Sequence, residues 1–224
     1  MLIHVIGEIL PPAVAAAEAF GDDLAVEVFP EEQEAIARAV GKRQREFTTA
    51  RACARAALAR LGLPPMPIPR GQQGAPQWPA GVVGSITHCA GYRACAVARR
   101  EDVVTIGLDA EPHGPLPDRV LGTVASEREQ ARLAELSAAV PGVHWDRLLF
   151  SAKESVYKAW YPLTGRWLGF SDAAVDFSPE SGQFTARILL ADAPINGFNG
   201  RWLVADGLLA TAIALEARPS RQLS

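Results

Sequence analysis

The 224-residue chain has only three cysteines, Cys53, Cys89 and Cys95. That number makes no disulfide framework and points to a reducing compartment. His88 beside Cys89 follows no zinc spacing, so the cysteines read as small apolar fillers. A net charge of only −3 removes any general case for nucleic acid or a membrane surface as partner. No stretch approaches about 18 uninterrupted apolar residues, so no membrane span is expected. The start of the chain lacks the basic segment of a secretory signal, and Glu8 interrupts its apolar run. A cytoplasmic protein is the expectation. The hydrophobic content of 49% suffices for a sizeable core, in one domain or two small ones.

What is present concentrates first at Val104-Thr105-Ile106-Gly107-Leu108-Asp109-Ala110-Glu111-Pro112. Residues 103–108 are apolar and partly β-branched, the pattern of a short buried strand. Residues two apart on a strand point the same way, so Asp109 and Glu111 project together. Like charges that close repel unless something positive sits between them. A hard cation such as Mg²⁺ suits such oxygens and commonly also binds substrate phosphate. Taken alone, the pair reads first as two solvated acids after a strand, and the rest of the chain changes that reading.

In chain order, residues 2–10 suggest a strand, 11–20 a short Ala-rich helix, 25–29 a strand, and Pro30-Glu31-Glu32 a helix start. Phe47, Ala50, Ala54, Ala57, Leu58 and Leu61 give residues 42–61 one apolar helical face, stopped by Gly62. The same helix is basic. Arg43 and Arg51 lie two turns apart, about 12 Å along the axis, a separation that can address two phosphates of one extended ligand. Residues 64–79, rich in Pro, Gly and Gln, form a long loop with Arg70-Gly71 at its charged point. A hairpin follows at 84–89 and 94–98, then a helix at 126–136 with Ser126 and Glu129 as its capping box. A second long helix covers 145–160 and ends at Pro162. Its Ser151, Glu154 and Lys158 share a face. Strands are expected at 173–177, 184–190, 201–205 and 208–215. The layout of helix then antiparallel strands occurs twice. It predicts an α+β fold, a pseudo-dimer of two similar lobes, each a long helix packed on a small mostly antiparallel sheet, with the site in the cleft between them. The lobes are placed at 1–103 and 104–224.

Glu154 and Lys158 alone read as an exposed ion pair one turn apart. Beside Asp109 and Glu111 they read as a third metal carboxylate with a phosphate-binding lysine. Four motifs now stand in order: Arg43-Gln44-Arg45-Glu46-Phe47 with Arg51, Gly84-Ser85-Ile86-Thr87-His88, Ile106-Gly107-Leu108-Asp109-Ala110-Glu111, and Phe150-Ser151-Ala152-Lys153-Glu154-Ser155-Val156-Tyr157-Lys158. Across residues 42–170 the chain resembles the 4′-phosphopantetheinyl transferases of the larger, surfactin-synthetase-activating type, near the enterobactin-synthetase component D group.

The resemblance implies an enzyme that moves the phosphopantetheine arm of coenzyme A to a serine of an apo acyl or peptidyl carrier protein and releases 3′,5′-ADP. It implies a monomeric pseudo-dimer. It also implies that Asp109, Glu111 and Glu154 hold Mg²⁺, with the main chain of Ala110 or a water beside them. Lys158 would neutralise the pyrophosphate, and Glu154 would take the serine proton directly or through water. Arg43, Arg51, Thr87 and His88 would hold the 3′-phosphoadenosine end, and Arg70, Gly71, Gln72 and Gln73 would lie along the nucleotide. Tyr157 and Trp167 would flank the pantetheine arm or serve as ordinary core aromatics. Arg70 stands where the family often has lysine. The carrier would present an acidic helix and could belong to fatty-acid, polyketide or nonribosomal peptide assembly. Two rivals stay open: a coenzyme A- or carrier-binding module without catalysis, and a Mg²⁺-dependent phosphohydrolase.

Overall fold

In the computed structural model, which describes residues 5–22 and 28–217, two antiparallel sheets each carry one 20-residue helix. A 3-10 turn at Ile6–Ile9 precedes β1 (Ala15–Phe20), α1 (Pro30–Gln33), α2 (Gly41–Arg60), β2 (Val82–Cys89), β3 (Tyr92–Arg99) and β4 (Val103–Pro112). Then come α3 (Leu121–Val124), α4 (Glu127–Ala139), α5 (Trp145–Thr164), β5 (Ala173–Ser178), β6 (Gln183–Ile188), β7 (Gly197–Ala205) and β8 (Leu208–Glu216). The first sheet has the order β1-β3-β2 and packs on α2; the second has the order β4-β8-β7-β6-β5 and packs on α5. This is the α+β architecture that the repeated layout predicts.

Two expectations near the start are corrected. Residues 15–20 form an edge strand, not a helix: β1 pairs antiparallel with β3 from Ala15↔Val97 to Phe20↔Tyr92. Alanine favours helices, but here its small side chain lets α2 approach the sheet. Ala17 is buried with Cys53, Ala54, Ala57 and Leu58 of α2, so packing overrides propensity. Within 2–10, the stretch Ile6–Ile9 is a 3-10 turn, whose Ile6 and Ile9 fill the core shared with Ile106, Leu108 and Ala210. Residues 1–4 and 23–27 lie outside the described residues, so most of the strand expected at 25–29 does too. Pro162 does not end α5, which runs on to Thr164. Gly165 at φ 64 closes it, donating to the Tyr161 carbonyl. A proline this near the last turn removes one helical bond and can be borne. Ser126 caps α4 in the box expected of it, accepting from the Glu129 amide.

The sheets meet where β4, an edge strand, lies beside β2. No backbone ladder joins them. The Leu108 N–H donates to Ser85 Oγ at 3.1 Å and the Ala110 N–H to Thr87 Oγ1 at 3.0 Å. Two hydroxyls of the Gly84-to-His88 motif thus satisfy an edge that would otherwise be left unpaired. On the other face of β4, α5 comes very close. A Cβ on Gly107 would stand 1.9 Å from the Ser155 carbonyl oxygen, so only glycine permits this crossing. Thr105 Oγ1 donates to the Ala159 carbonyl at 2.9 Å, and Ser151 and Ser155 both meet the Thr211 hydroxyl of β8. These contacts fix where α5 presents its next charged residues.

Candidate active site

Glu154 and Lys158 project from α5 over the Gly107 crossing. Lys158 does not pair with Glu154. Its Nζ donates to Asp109 Oδ1 at 2.7 Å and to the Leu108 carbonyl at 3.1 Å. Thr87 Oγ1 donates to the same Asp109 oxygen at 3.3 Å, while Asp109 Oδ2 is buried with no hydrogen-bond partner among the described residues. Glu111 takes a second cation of α5: Arg147 Nη1 donates to its Oε2 at 2.9 Å. Glu154 makes no hydrogen bond or ion pair among the described residues. Burial, with Asp109 and Glu111 nearby, raises its carboxyl above the ordinary value against the pull of Lys158. Glu111 is raised by burial and by Asp109, with Arg147 opposing.

Two chambers form one cleft. The larger, 390 Å³, is lined by Gln73, Trp78, Glu154, Tyr157, Lys158 and Tyr161 among others. The smaller, 140 Å³, is lined by Arg43, Phe47, Arg51, Arg70 and His88. Gly74, Pro76 and Ile86 line both, so the chambers adjoin. Arg70 packs so tightly against Gly74 that a Cβ there would meet its guanidinium at 2.9 Å. Arg43 Nη1 lies 2.6 Å from His88 Nε2. A guanidinium cannot accept, so Nε2 is the acceptor and the ring is neutral. Desolvation in the cleft, then Arg43, push His88 down to about 4, although the rim stays open to solvent.

Arg51 is more than a surface charge. It is 5% exposed, its Nε donates to the Ile68 carbonyl at 2.8 Å, and it lies 4.2 Å above the Phe47 ring. Burial lowers it to about 10, which leaves it cationic at neutral pH. Behind it the fully buried Glu32 accepts from Arg55 at 2.9 Å and from the Ile68 amide at 2.8 Å, pinning the 64–79 loop to α2.

The cleft therefore gathers Arg43, Arg51, Arg70, Gln73, His88, Glu154 and Lys158 on its walls, with Asp109 reached through Lys158. Gly71, Gln72 and Thr87 line neither chamber, and the Thr87 hydroxyl is used at the seam. Ala110 is buried in the core, its N–H spent on Thr87, so it can offer only its carbonyl. Tyr157 lines the large chamber with a buried hydroxyl that has no partner among the described residues, and the exposed Trp167 packs on its ring at 5.0 Å. Among the described residues, no three of His, Cys, Asp and Glu stand close enough to form a ready cation cage. The donors nevertheless suit a hard cation, through the orphaned Asp109 oxygen and the unpaired Glu154 carboxylate.

Two residues escaped the sequence reading. Arg147 lies four before Ser151 and seven before Glu154, so extending the Ser151–Glu154–Lys158 face by one turn would have found it. Lys153 is 4% exposed and donates to the Val124 carbonyl, Glu129 Oε2 and the Phe170 carbonyl, exhausting its three protons. Nothing in the motif distinguishes this pin from a ligand-binding lysine.

Residues 31–98 match the family described as 4′-phosphopantetheinyl transferase N-terminal domain, and residues 105–212 the 4′-phosphopantetheinyl transferase superfamily. The chain is 53% identical over 221 residues to 4′-phosphopantetheinyl transferase Svp of Streptomyces mobaraensis, covering 95% of this chain and 90% of the relative. It is 47% identical over 224 residues to 4′-phosphopantetheinyl transferase PptT of Mycobacterium tuberculosis, covering 94% and 98%. A more distant likeness, 34% over 121 residues, is to enterobactin synthase component D of Salmonella typhimurium, covering 53% and 48%.

Proposed function

The chain belongs to the 4′-phosphopantetheinyl transferase superfamily, and from that premise we infer that it transfers the phosphopantetheine arm of coenzyme A to a serine of an apo carrier protein. The observation that carries the reading is one cleft with arginines in one chamber and Glu154 with Lys158 in the next. Coenzyme A has that charge layout, a 3′-phosphate at one end and a pyrophosphate further along. Arg43, Arg51 and Arg70 hold the nucleotide end, with neutral His88 orienting Arg43. Tyr157 and Trp167 flank the pantetheine arm.

At the reacting end, the serine oxygen bonds to the phosphorus that carries pantetheine. The pyrophosphate P–O bond breaks, 3′,5′-ADP leaves with the bridging oxygen, and the serine proton passes to Glu154. Lys158 places its charge where negative charge grows on the leaving phosphate. Asp109, Glu111 and Glu154, with the Ala110 carbonyl or water, are the residues that would hold Mg²⁺. Held there, it would supply positive charge to offset that of the pyrophosphate. Residues 1–103 carry the nucleotide contacts and 104–224 the carboxylates. The finer placing is the surfactin-synthetase-activating type, near enterobactin synthase component D, as a cytoplasmic monomer.

Acyl and peptidyl carriers with an acidic helix are the partners, docking from 112 to 136 and onto the helix that follows. Affinity falls modestly with salt, as for any exposed charged rim. Among the described residues, no helix is long and apolar enough to cross a membrane. The test is incubation with coenzyme A, Mg²⁺ and a panel of apo carriers from fatty-acid, polyketide and nonribosomal systems, each carrier then weighed. One phosphopantetheine is gained on at least one carrier. No gain on any moves the reading to a binding module without catalysis.

A further inference from the structure

Arg147 occupies the first turn of α5, on the stripe that continues through Ser151, Glu154 and Lys158. Its guanidinium makes three contacts. Nη1 donates to Glu111 Oε2 at 2.9 Å, Nε to the Gly114 carbonyl at 3.3 Å, and Nη2 to the Pro115 carbonyl at 2.5 Å. The preceding Asp146 accepts from the Leu116 amide at 2.8 Å. One helical turn therefore holds both the Glu111 carboxylate and the segment leaving β4. Glu111 is engaged through Oε2 alone; its Oε1 makes no hydrogen bond among the described residues.

We propose that Arg147 is a positioning residue that fixes Glu111 by one oxygen and so leaves the other for the divalent cation. The inference rests on the three-carboxylate reading above. The physical argument is one of order. A glutamate near the end of an edge strand has three rotatable bonds, and Asp109 on the same face repels it. A planar guanidinium with its other donors anchored on two main-chain carbonyls removes that freedom before any cation arrives. Residues that orient a metal ligand in this way typically govern affinity by roughly 10–100-fold. Electrostatics acting alone has the opposite sign, because a cation beside the site repels another. The direction of the change on removing Arg147 therefore separates orientation from simple repulsion.

The experiment titrates the full-length protein with Mn²⁺, observed by electron paramagnetic resonance, for wild type, Asp109→Asn, Arg147→Gln and Arg147→Lys. Binding of 3′,5′-ADP without metal, and a melting curve, establish that each variant keeps its fold and its basic chamber. The expected result is Mn²⁺ binding by wild type, loss in Asp109→Asn, and a roughly 10–100-fold weakening in Arg147→Gln. Arg147→Lys, which keeps the charge but not the fork, falls between. Equal or tighter Mn²⁺ binding by a folded Arg147→Gln overturns the inference and leaves the three-carboxylate reading intact. No Mn²⁺ binding by wild type, with Asp109→Asn indistinguishable from it, overturns that reading and the inference with it.

Discussion

At one end of the cleft Arg43, Arg51 and Arg70 face a chamber whose lining contains no carboxylate among the described residues, while at the other Glu154 and Lys158 line the larger chamber, with Asp109 paired to Lys158 and Glu111 near but outside the lining. Arg43 has Glu46 at 3.3 Å and Arg51 has the buried Glu32 at 3.9 Å, but both carboxylates stand outside the chamber lining, so the chamber itself is faced by cations. It is built before any ligand arrives, and an anion relieves its repulsion. The second end is nearly balanced within the chain. Asp109 has Lys158 and Glu111 has Arg147, while among the described residues Glu154, one Asp109 oxygen and Glu111 Oε1 stay without a partner. A site with most charges paired and one carboxylate over has room for one more cation and one transferable proton. On the proposed function, the difference assigns a grip to the basic end and a reaction centre to the acidic end.

The largest effect that sharpens this contrast is expected from Lys158→Ala. It takes charge from where the leaving phosphate develops it and strips Asp109 of its partner, so kcat falls about 10²–10³-fold. Steady-state rates with saturating coenzyme A measure it. A change confined to KM would place Lys158 with the grip instead. Next comes Arg51→Ala. Loss of a charged hydrogen bond of about 1.5–3 kcal/mol weakens coenzyme A by about 10–100-fold, far more than 3′-dephospho-coenzyme A. Because Arg51 also anchors Ile68, the variant melts lower too, whereas Arg43→Ala, on a residue open to solvent, shows the substrate effect without the melting effect. Equal losses for both substrates would remove the 3′-phosphate from this chamber.

How much of this could be read from residues alone varies along the chain. The α5 face carrying Glu154 and Lys158 was legible because period and charge coincide, and the β4 carboxylates because strand period puts them on one side. The pairing was not: spacing on a helix favours Glu154 with Lys158, yet the Gly107 crossing brings β4 near enough for Asp109 to take the lysine. Close approach of two elements leaves no trace in either one's own pattern. The seam through Ser85 and Thr87 was hidden for the same reason, since hydroxyls in a strand look alike whether they meet a ligand or another edge. At Ala15–Phe20 composition points the wrong way, because alanine suits both a helix and a strand surface on which a helix must sit closely. The pseudo-dimer was legible in the repeated order of elements, which needs no contact information.

A smaller effect concerns Lys153, which belongs to neither end. Lys153→Met leaves Glu129 buried without its cation and is expected to destabilise the fold by about 3–5 kcal/mol. Denaturant unfolding measures this, and transfer per folded molecule changes far less. A collapse of transfer in a stable variant would extend the reaction centre to Lys153. The smallest effect is one of sign. Burial raises the Glu154 carboxyl, so the folded protein holds that proton better than the unfolded chain. Its share of stability is present below the unfolded value and is lost as pH rises through the folded one. Glu154→Gln escapes that loss, so without metal it melts at or above wild type at neutral pH, and the advantage fades in acid. A lower melting point at neutral pH would indicate the surface ion pair instead.

The most direct test of the division between grip and reaction centre joins two readings on one Glu154→Gln preparation: the coenzyme A dissociation constant by calorimetry without added metal, and the single-turnover rate of transfer to a responsive carrier with Mg²⁺. Removing a general base typically lowers a rate by about 10²–10⁴-fold. The account predicts that fall with an unchanged dissociation constant. A near-normal rate in the folded variant, or a rate that falls only in proportion to lost coenzyme A binding, would contradict it.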